Sequence, residues 1–216
     1  MEKRADLSDK ILDSALELAE TRHWESLRLY DVADIMGISL SQIHCHFREK
    51  DELIDAWFDR ADTAMLEDAN SPEFQALSSQ TRIHRAIMTW LGALAAHQRI
   101  TRQMIVTKLE FGHIHIQIPA LMRISRTVQW IREMAQRDAT FFRRAIEETV
   151  LTSIYLMVFT KWMNDNSPQF RETHELLERL LHGAASLSHL SCCEKKPYEQ
   201  DKAAMQKTQD HPSAST

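Results

Sequence analysis

The chain has 216 residues with only four Gly and five Pro. That length allows a substantial core, and that composition argues against loop-rich nucleotide sites and for an all-α fold. Its three cysteines, Cys45, Cys192 and Cys193, form neither a disulfide framework nor a C-x-x-C zinc pair, so a reducing, cytoplasmic setting without metal or cofactor is expected. A net charge of −5 excludes polyanion binding by bulk positive charge, and no apolar run near Met1 has the form of a leader.

After a polar arm over residues 1–7, a helix is predicted to start near Ser8. Its Ile11, Leu12, Ala15, Leu16 and Ala19 recur at helical spacing. Trp24 and Leu27 lead into a short helix at 31–36, with Val32, Ala33 and Ile35 as its inward candidates. Gly37 stands where that helix must end and the backbone needs a positive φ. Ser39 then serves as an N-cap, with Gln42 placed to close a capping box. The following helix, 40–46, turns Ile43 and Phe47 inward. Two short helices about a Gly turn form the pattern that lays its second helix in a DNA major groove.

A longer helix is expected from Asp51 to about Asp68, with Leu53, Ile54, Trp57, Phe58, Ala61 and Met65 on one stripe. Asp51 and Glu52 suit the positive end of its dipole. Asn70-Ser71-Pro72 marks the clearest break. Helices follow at 81–97, with Ile83, Ile87, Trp90, Leu91 and Leu94 inward, and at 101–111, with Met104, Ile105 and Leu109. The segment 113–118 alternates His or Gln with Ile and reads as an extended connector. Pro119 offers an N1 start for a helix to about Gln136 that carries Met122, Val128, Trp130, Ile131 and Met134. The most apolar stretch, 141–163, is broken by Thr152, Ser153 and Lys161 and is too short to span a membrane. A turn at 164–168 precedes a last helix from about Gln169 to Leu190, with Phe170, Leu176, Leu177, Leu180, Leu181, Ala184 and Leu187 inward. Residues 191–216 lack periodicity, and disorder is expected there.

Gly37-Ile38-Ser39, Ile43, His46-Phe47 and Lys50-Asp51-Glu52-Leu53, at this spacing within the first 68 residues, resemble the DNA-binding end of TetR-type transcriptional regulators. The resemblance implies an all-α protein of about nine helices. It would have a DNA-binding head over 1–50, a connecting helix over 51–71, a ligand-binding and dimerisation body over 72–190, and a tail over 191–216. Contacts to a double-stranded operator would come from Arg28, Tyr30, Ser39, Leu40, Ser41, Gln42, His44, Cys45, His46 and Lys50. Lys50 would meet a phosphate, while Leu40, Ser41, His44 and Cys45 would face bases. The sequence departs from the family at His44, where a Tyr is usual. Leu40 suits a thymine methyl, and Gln42 could reach adenine only in competition with its cap.

The same resemblance implies a small apolar or aromatic effector, with Trp90, His97, Met104, Phe111, Trp130 and Met134 as pocket candidates. It also implies a homodimer through the last two helices, with Ile154, Val158, Trp162, Leu177, Leu181 and Ala184 as interface candidates, since so apolar a hairpin would otherwise expose a large patch. The expected function is therefore that of a ligand-controlled repressor.

Other chemistries are weaker. His97, His113 and His115 lack a supporting Cys or carboxylate cluster, so no metal is expected. There is no nucleophile elbow, P-loop or Gly-rich signature, so no enzyme is expected. The first 50 residues hold seven Lys or Arg against ten Asp or Glu, so DNA affinity would rest on a local patch from Lys3, Arg4, Arg28, Arg48 and Lys50. A second resemblance points elsewhere. Arg143-Arg144-Ala145-Ile146, Ile154-Tyr155, the run Asp165 to Phe170, Thr173 and Leu177-Glu178-Arg179-Leu180 look like the C-terminal region of the coenzyme-Q biosynthesis accessory family. It implies, as the alternative, a TetR-fold protein that binds lipid or isoprenoid without reading DNA.

Overall fold

The computed structural model describes residues 2–109, 114–136 and 141–193, all helical or turn, with no strand among them. Nine helices of five or more residues and one four-residue helix follow in order. The head comprises α1 (Glu2–Thr21), α2 (Leu29–Met36) and α3 (Leu40–His44). The long α4 (Lys50–Ala69) and short α5 (Pro72–Gln75) lead to α6 (Ser79–Leu94), α7 (Gln98–Leu109), α8 (Ile114–Met134), α9 (Phe141–Trp162) and α10 (Arg171–Cys193).

The head closes on the residues that the apolar spacing singles out. Ile11, Leu12, Ala15, Leu16 and Ala19 of α1 meet Trp24, Leu27, Val32, Ala33, Ile43 and Phe47, all buried. Ile35 is the exception at 61 % exposure. In a short helix the buried stripe runs through Val32, Ala33 and the partly buried Met36, and Ile35 falls outside it. Gly37 ends α2 at φ 64°, its N–H bonding back to Ala33 and Asp34. A Cβ built there meets nothing within 4 Å, so Gly37→Ala should cost about 1 kcal/mol of stability through backbone strain alone. Urea unfolding measures this, and a much larger loss would reveal a contact that the geometry lacks.

Helix α4 joins head to body. Its whole predicted stripe, Leu53, Ile54, Trp57, Phe58, Ala61 and Met65, is buried. The body packs α6 against α4 and α8, with α9 and α10 as an antiparallel hairpin. Its core is aromatic: Trp90 stacks on Phe58 at 5.7 Å and meets Tyr155 and Phe159 edge-on, and Phe159 stacks on Trp162 at 5.9 Å.

One predicted connector is corrected. The alternating segment is not extended: α8 already begins at Ile114, and Pro119 lies within the helix rather than at its start. Ile114, Ile118 and Leu121 also recur at i, i+4 and i+7, so the same residues satisfy a helical period. With no strand among the described residues to pair with, the helix satisfies the backbone locally. The expectations for Phe111, His113 and the tail beyond Cys193 lie outside the described residues, as do those for the side chains of Leu109, His115, Met122 and Leu187.

Candidate nucleic-acid interface

Helix α3 is fixed to the head by one face and open on the other. Ile43 and, just beyond the helix, Phe47 are buried, whereas Leu40, Ser41, Gln42, His44 and Cys45 are exposed and His46 is half-buried. Arg28 and Tyr30 at the start of α2 are also exposed, Tyr30 by 59 %. The helix starts in a closed capping box. The Ser39 N–H donates to Gln42 Oε1 at 2.9 Å, and the Gln42 N–H donates to Ser39 Oγ at 3.2 Å. Ser39 is thereby a capping residue, and the carbonyl half of Gln42 is taken up inside the head.

Lys50 is placed differently from a simple phosphate contact. Its Nζ donates to the main-chain oxygens of Trp24 and Glu25 and lies 5.1 Å from the centre of the Trp24 ring. Burial holds its pKa below the usual lysine value, against the pull of Asp51 and Glu25. Its first role in the head is to tie α4 to the Trp24–Ser26 turn. Trp24 is anchored from the body as well, its N–H donating to Gln103 Oε1 at 2.7 Å.

Part of the head's acidic charge is paired. Asp9 and Asp13 pair with Arg60 of α4 at 3.2 and 2.5 Å. Glu20 pairs with Arg99 and His97 of the body at 2.7 and 2.9 Å, and Asp31 faces Arg22 at 3.4 Å. Burial works against ionisation of Glu20, but the bonds from His97 and Arg99 outweigh it and lower its pKa. Three of these acids are therefore matched by cations beyond residue 50. They lie where the head meets α4 and the body, while Asp34 and Glu49 stay exposed in the helix-turn-helix region.

Helix α4 is tied to the body by polar bonds over much of its length. Trp57 Nε1 donates to Thr101 at 2.9 Å, and Arg123 of α8 reaches Asp55 and Asp59. Arg85 of α6 makes a two-pronged bond to Asp68, which holds that carboxyl below its usual pKa. Deepest is Asp62, which accepts from Trp90 Nε1 at 2.7 Å and Thr127 Oγ1 at 3.0 Å. Burial raises its pKa in spite of those bonds and of Arg123. Asp62 was absent from the candidate residues, yet its signal was present. It sits four residues after Phe58 and three before Met65, an acid on the buried stripe.

Of the six pocket candidates, Phe111 lies outside the described residues and the other five differ in their surroundings. Trp90 and Met104 are core, and Trp130 is 45 % exposed. His97 stands edge-on to Trp57 at 5.7 Å, on the head side beside Glu20. Met134 is half-buried on α8. Among the described residues no three His, Cys, Asp or Glu are grouped to hold a metal. Five of the interface candidates, Ile154, Val158, Trp162, Leu177 and Leu181, are buried in this chain's own core, and only Ala184 is half-buried. They hold α9 and α10 to their own subunit. Among the described residues, the large apolar side chains that α9 leaves to solvent are Ile146, Val150, Leu156 and Met157.

A helix-turn-helix with one free face, carried on a helical body by a single long connecting helix, defines a helix-turn-helix protein of two parts. A TetR transcriptional regulator from Nitrosomonas europaea ATCC 19718 is 54 % identical to it, with 83 % of this chain and 98 % of that one covered at a TM-score of 0.77. The chain belongs to the TetR family of transcriptional regulators. A TetR transcriptional regulator from Rhodococcus sp. RHA1, 17 % identical with a TM-score of 0.60 over 84 % of this chain and 98 % of that one, shares the fold. No family model and no curated protein matches the chain. The strong similarity is to a regulator and spans most of the chain, so it does not favour the accessory-protein alternative drawn from the C-terminal residues. Among the described residues no helix is long and apolar enough to cross a membrane.

Proposed function

We propose that the chain is a homodimeric, DNA-binding repressor whose two α3 helices enter successive major grooves of a palindromic operator. The observation that carries this reading is the two-sidedness of the recognition segment. Ile43 and Phe47 are buried, while Arg28, Tyr30, Leu40, Ser41, His44 and Cys45 are open to a groove. Arg28 and Arg48 supply positive charge at its margins, where phosphates set position and base edges set specificity.

The second subunit would pack on the exposed stripe of α9. Ile146, Val150 and Met157 lie at i, i+4 and i+11, with Ser153 between them, one continuous face of a helix. An apolar or aromatic effector would act through α4. That helix starts at Lys50 in the head and is bonded to α6, α7 and α8 through Asp68, Trp57 and Asp62. A ligand that prefers one packing of α4 shifts the head spacing by that difference in affinity.

Arg28→Ala gives the test of DNA binding. Lys50→Ala would also release the Trp24 turn, whereas the Arg28 side chain is exposed. With a duplex selected from a random pool, the Arg28 variant should weaken binding to all sequences alike. The slope of log affinity against log salt should fall by about one per subunit. Absence of salt-dependent retention of any duplex by the unaltered protein would overturn the proposal.

A further inference from the structure

We propose that Leu40 seats against the 5-methyl group of a thymine in each operator half-site, and that this contact is a direct source of sequence preference. The inference rests on the head binding duplex DNA and adds which feature of the bases it reads. Leu40 is the first residue of α3 and is 54 % exposed, an apolar side chain at the leading edge of the segment. Across 38–46, Ile-Ser-Leu-Ser-Gln-Ile-His-Cys-His, there is no Arg, Lys, Asn, Asp or Glu. The bidentate guanidinium contact to guanine and a carboxylate acceptor for cytosine are therefore both missing.

The polar groups that remain are partly consumed. Gln42 Oε1 accepts from the Ser39 N–H at 2.9 Å and from Ser39 Oγ at 3.1 Å. A two-point contact to adenine needs that oxygen together with the amide nitrogen. The Ser41 hydroxyl lies 2.8 Å from Ser39 Oγ, and either can donate to the other, so it too is engaged at the cap. What α3 itself offers without breaking its own cap is the Gln42 amide donor, His44, Cys45 and the Leu40 methyls, with Arg28 and Tyr30 at the start of α2 beside them. The apolar feature of the major groove is the thymine methyl, and burying Leu40 on it removes two apolar surfaces from water at once.

The test replaces each thymine of a selected operator by deoxyuridine, which deletes only that methyl. Affinity is read by fluorescence anisotropy at fixed salt. One thymine per half-site should be sensitive, with a loss of about fourfold per half-site and about fifteenfold for the symmetric operator, the worth of one buried methyl each. Leu40→Ala should bind the thymine and uracil operators equally. If the protein binds DNA but no thymine is sensitive, or if Leu40→Ala keeps the full sensitivity, the inference is wrong while the DNA-binding function stands. If no duplex is bound at all, both fall.

Discussion

Met157→Glu should convert a dimer into folded monomers and lower operator affinity at least hundredfold. Met157 is 48 % exposed on α9 and lies on the stripe shared with Ile146 and Val150. A carboxylate there costs the single subunit little, because solvent reaches it. On a twofold face it is brought in twice and must lose its hydration without a partner. Two linked heads bind two half-sites together, and a single head keeps little more than general affinity for DNA. Specific complexes are usually about 10³ or more tighter than non-specific ones, which sets the scale of the loss. Sedimentation measures the mass and anisotropy the affinity. Trp162→Ala is the informative contrast. Trp162 is fully buried inside its own subunit, so that variant should lose about 3–5 kcal/mol of folding stability. A Met157→Glu protein that still sediments as a dimer would place the interface elsewhere.

The division between these two residues explains what the sequence could and could not convey. The head was legible because its cues are local. Gly37, Ser39 and Gln42 each fix a backbone event within four residues, whereas the stripe of the short α2 was read only in part, since Ile35 faces solvent. The α4 stripe was plain. Helix α9 was not, because Leu151, Ile154, Tyr155 and Val158 are buried while Ile146, Val150, Leu156 and Met157 are exposed. A helix apolar nearly all round names no preferred side. Which side meets α10 depends on tertiary packing, and five of the six interface candidates lie in this chain's own core. Pairings such as Glu20 with Arg99 or Asp62 with Trp90 span 79 and 28 residues, and no local rule announces them.

Asp165→Asn should cost about 2–3 kcal/mol of stability at neutral pH, and the gap from the unaltered protein should narrow as the pH falls below about 4. Asp165 lies in the turn that joins α9 to α10 and is 1 % exposed. Burial opposes its ionisation, but four donors outweigh that. The Ser167 N–H and hydroxyl reach Oδ1 at 2.8 and 2.6 Å, and the Thr173 N–H and hydroxyl reach Oδ2 at 2.9 and 2.6 Å. Together they hold the carboxyl at about 2, down from 3.8. Because the folded value lies below the unfolded one, the native state favours the ionised form. Its stabilisation of about 2 kcal/mol is complete above the unfolded pKa and fades as the pH drops through 3.8 toward 2. Asn keeps the shape but turns one acceptor into an amide that faces donors, leaving buried N–H or O–H groups without a partner. Every other acid is common to both proteins, so the difference between their urea unfolding free energies from pH 7 to pH 2 isolates this one group. Parallel curves would mean that the four bonds do not hold the charge. Converging curves would make the ionised turn the clasp of the α9–α10 hairpin, and with it the support behind the exposed stripe through Met157.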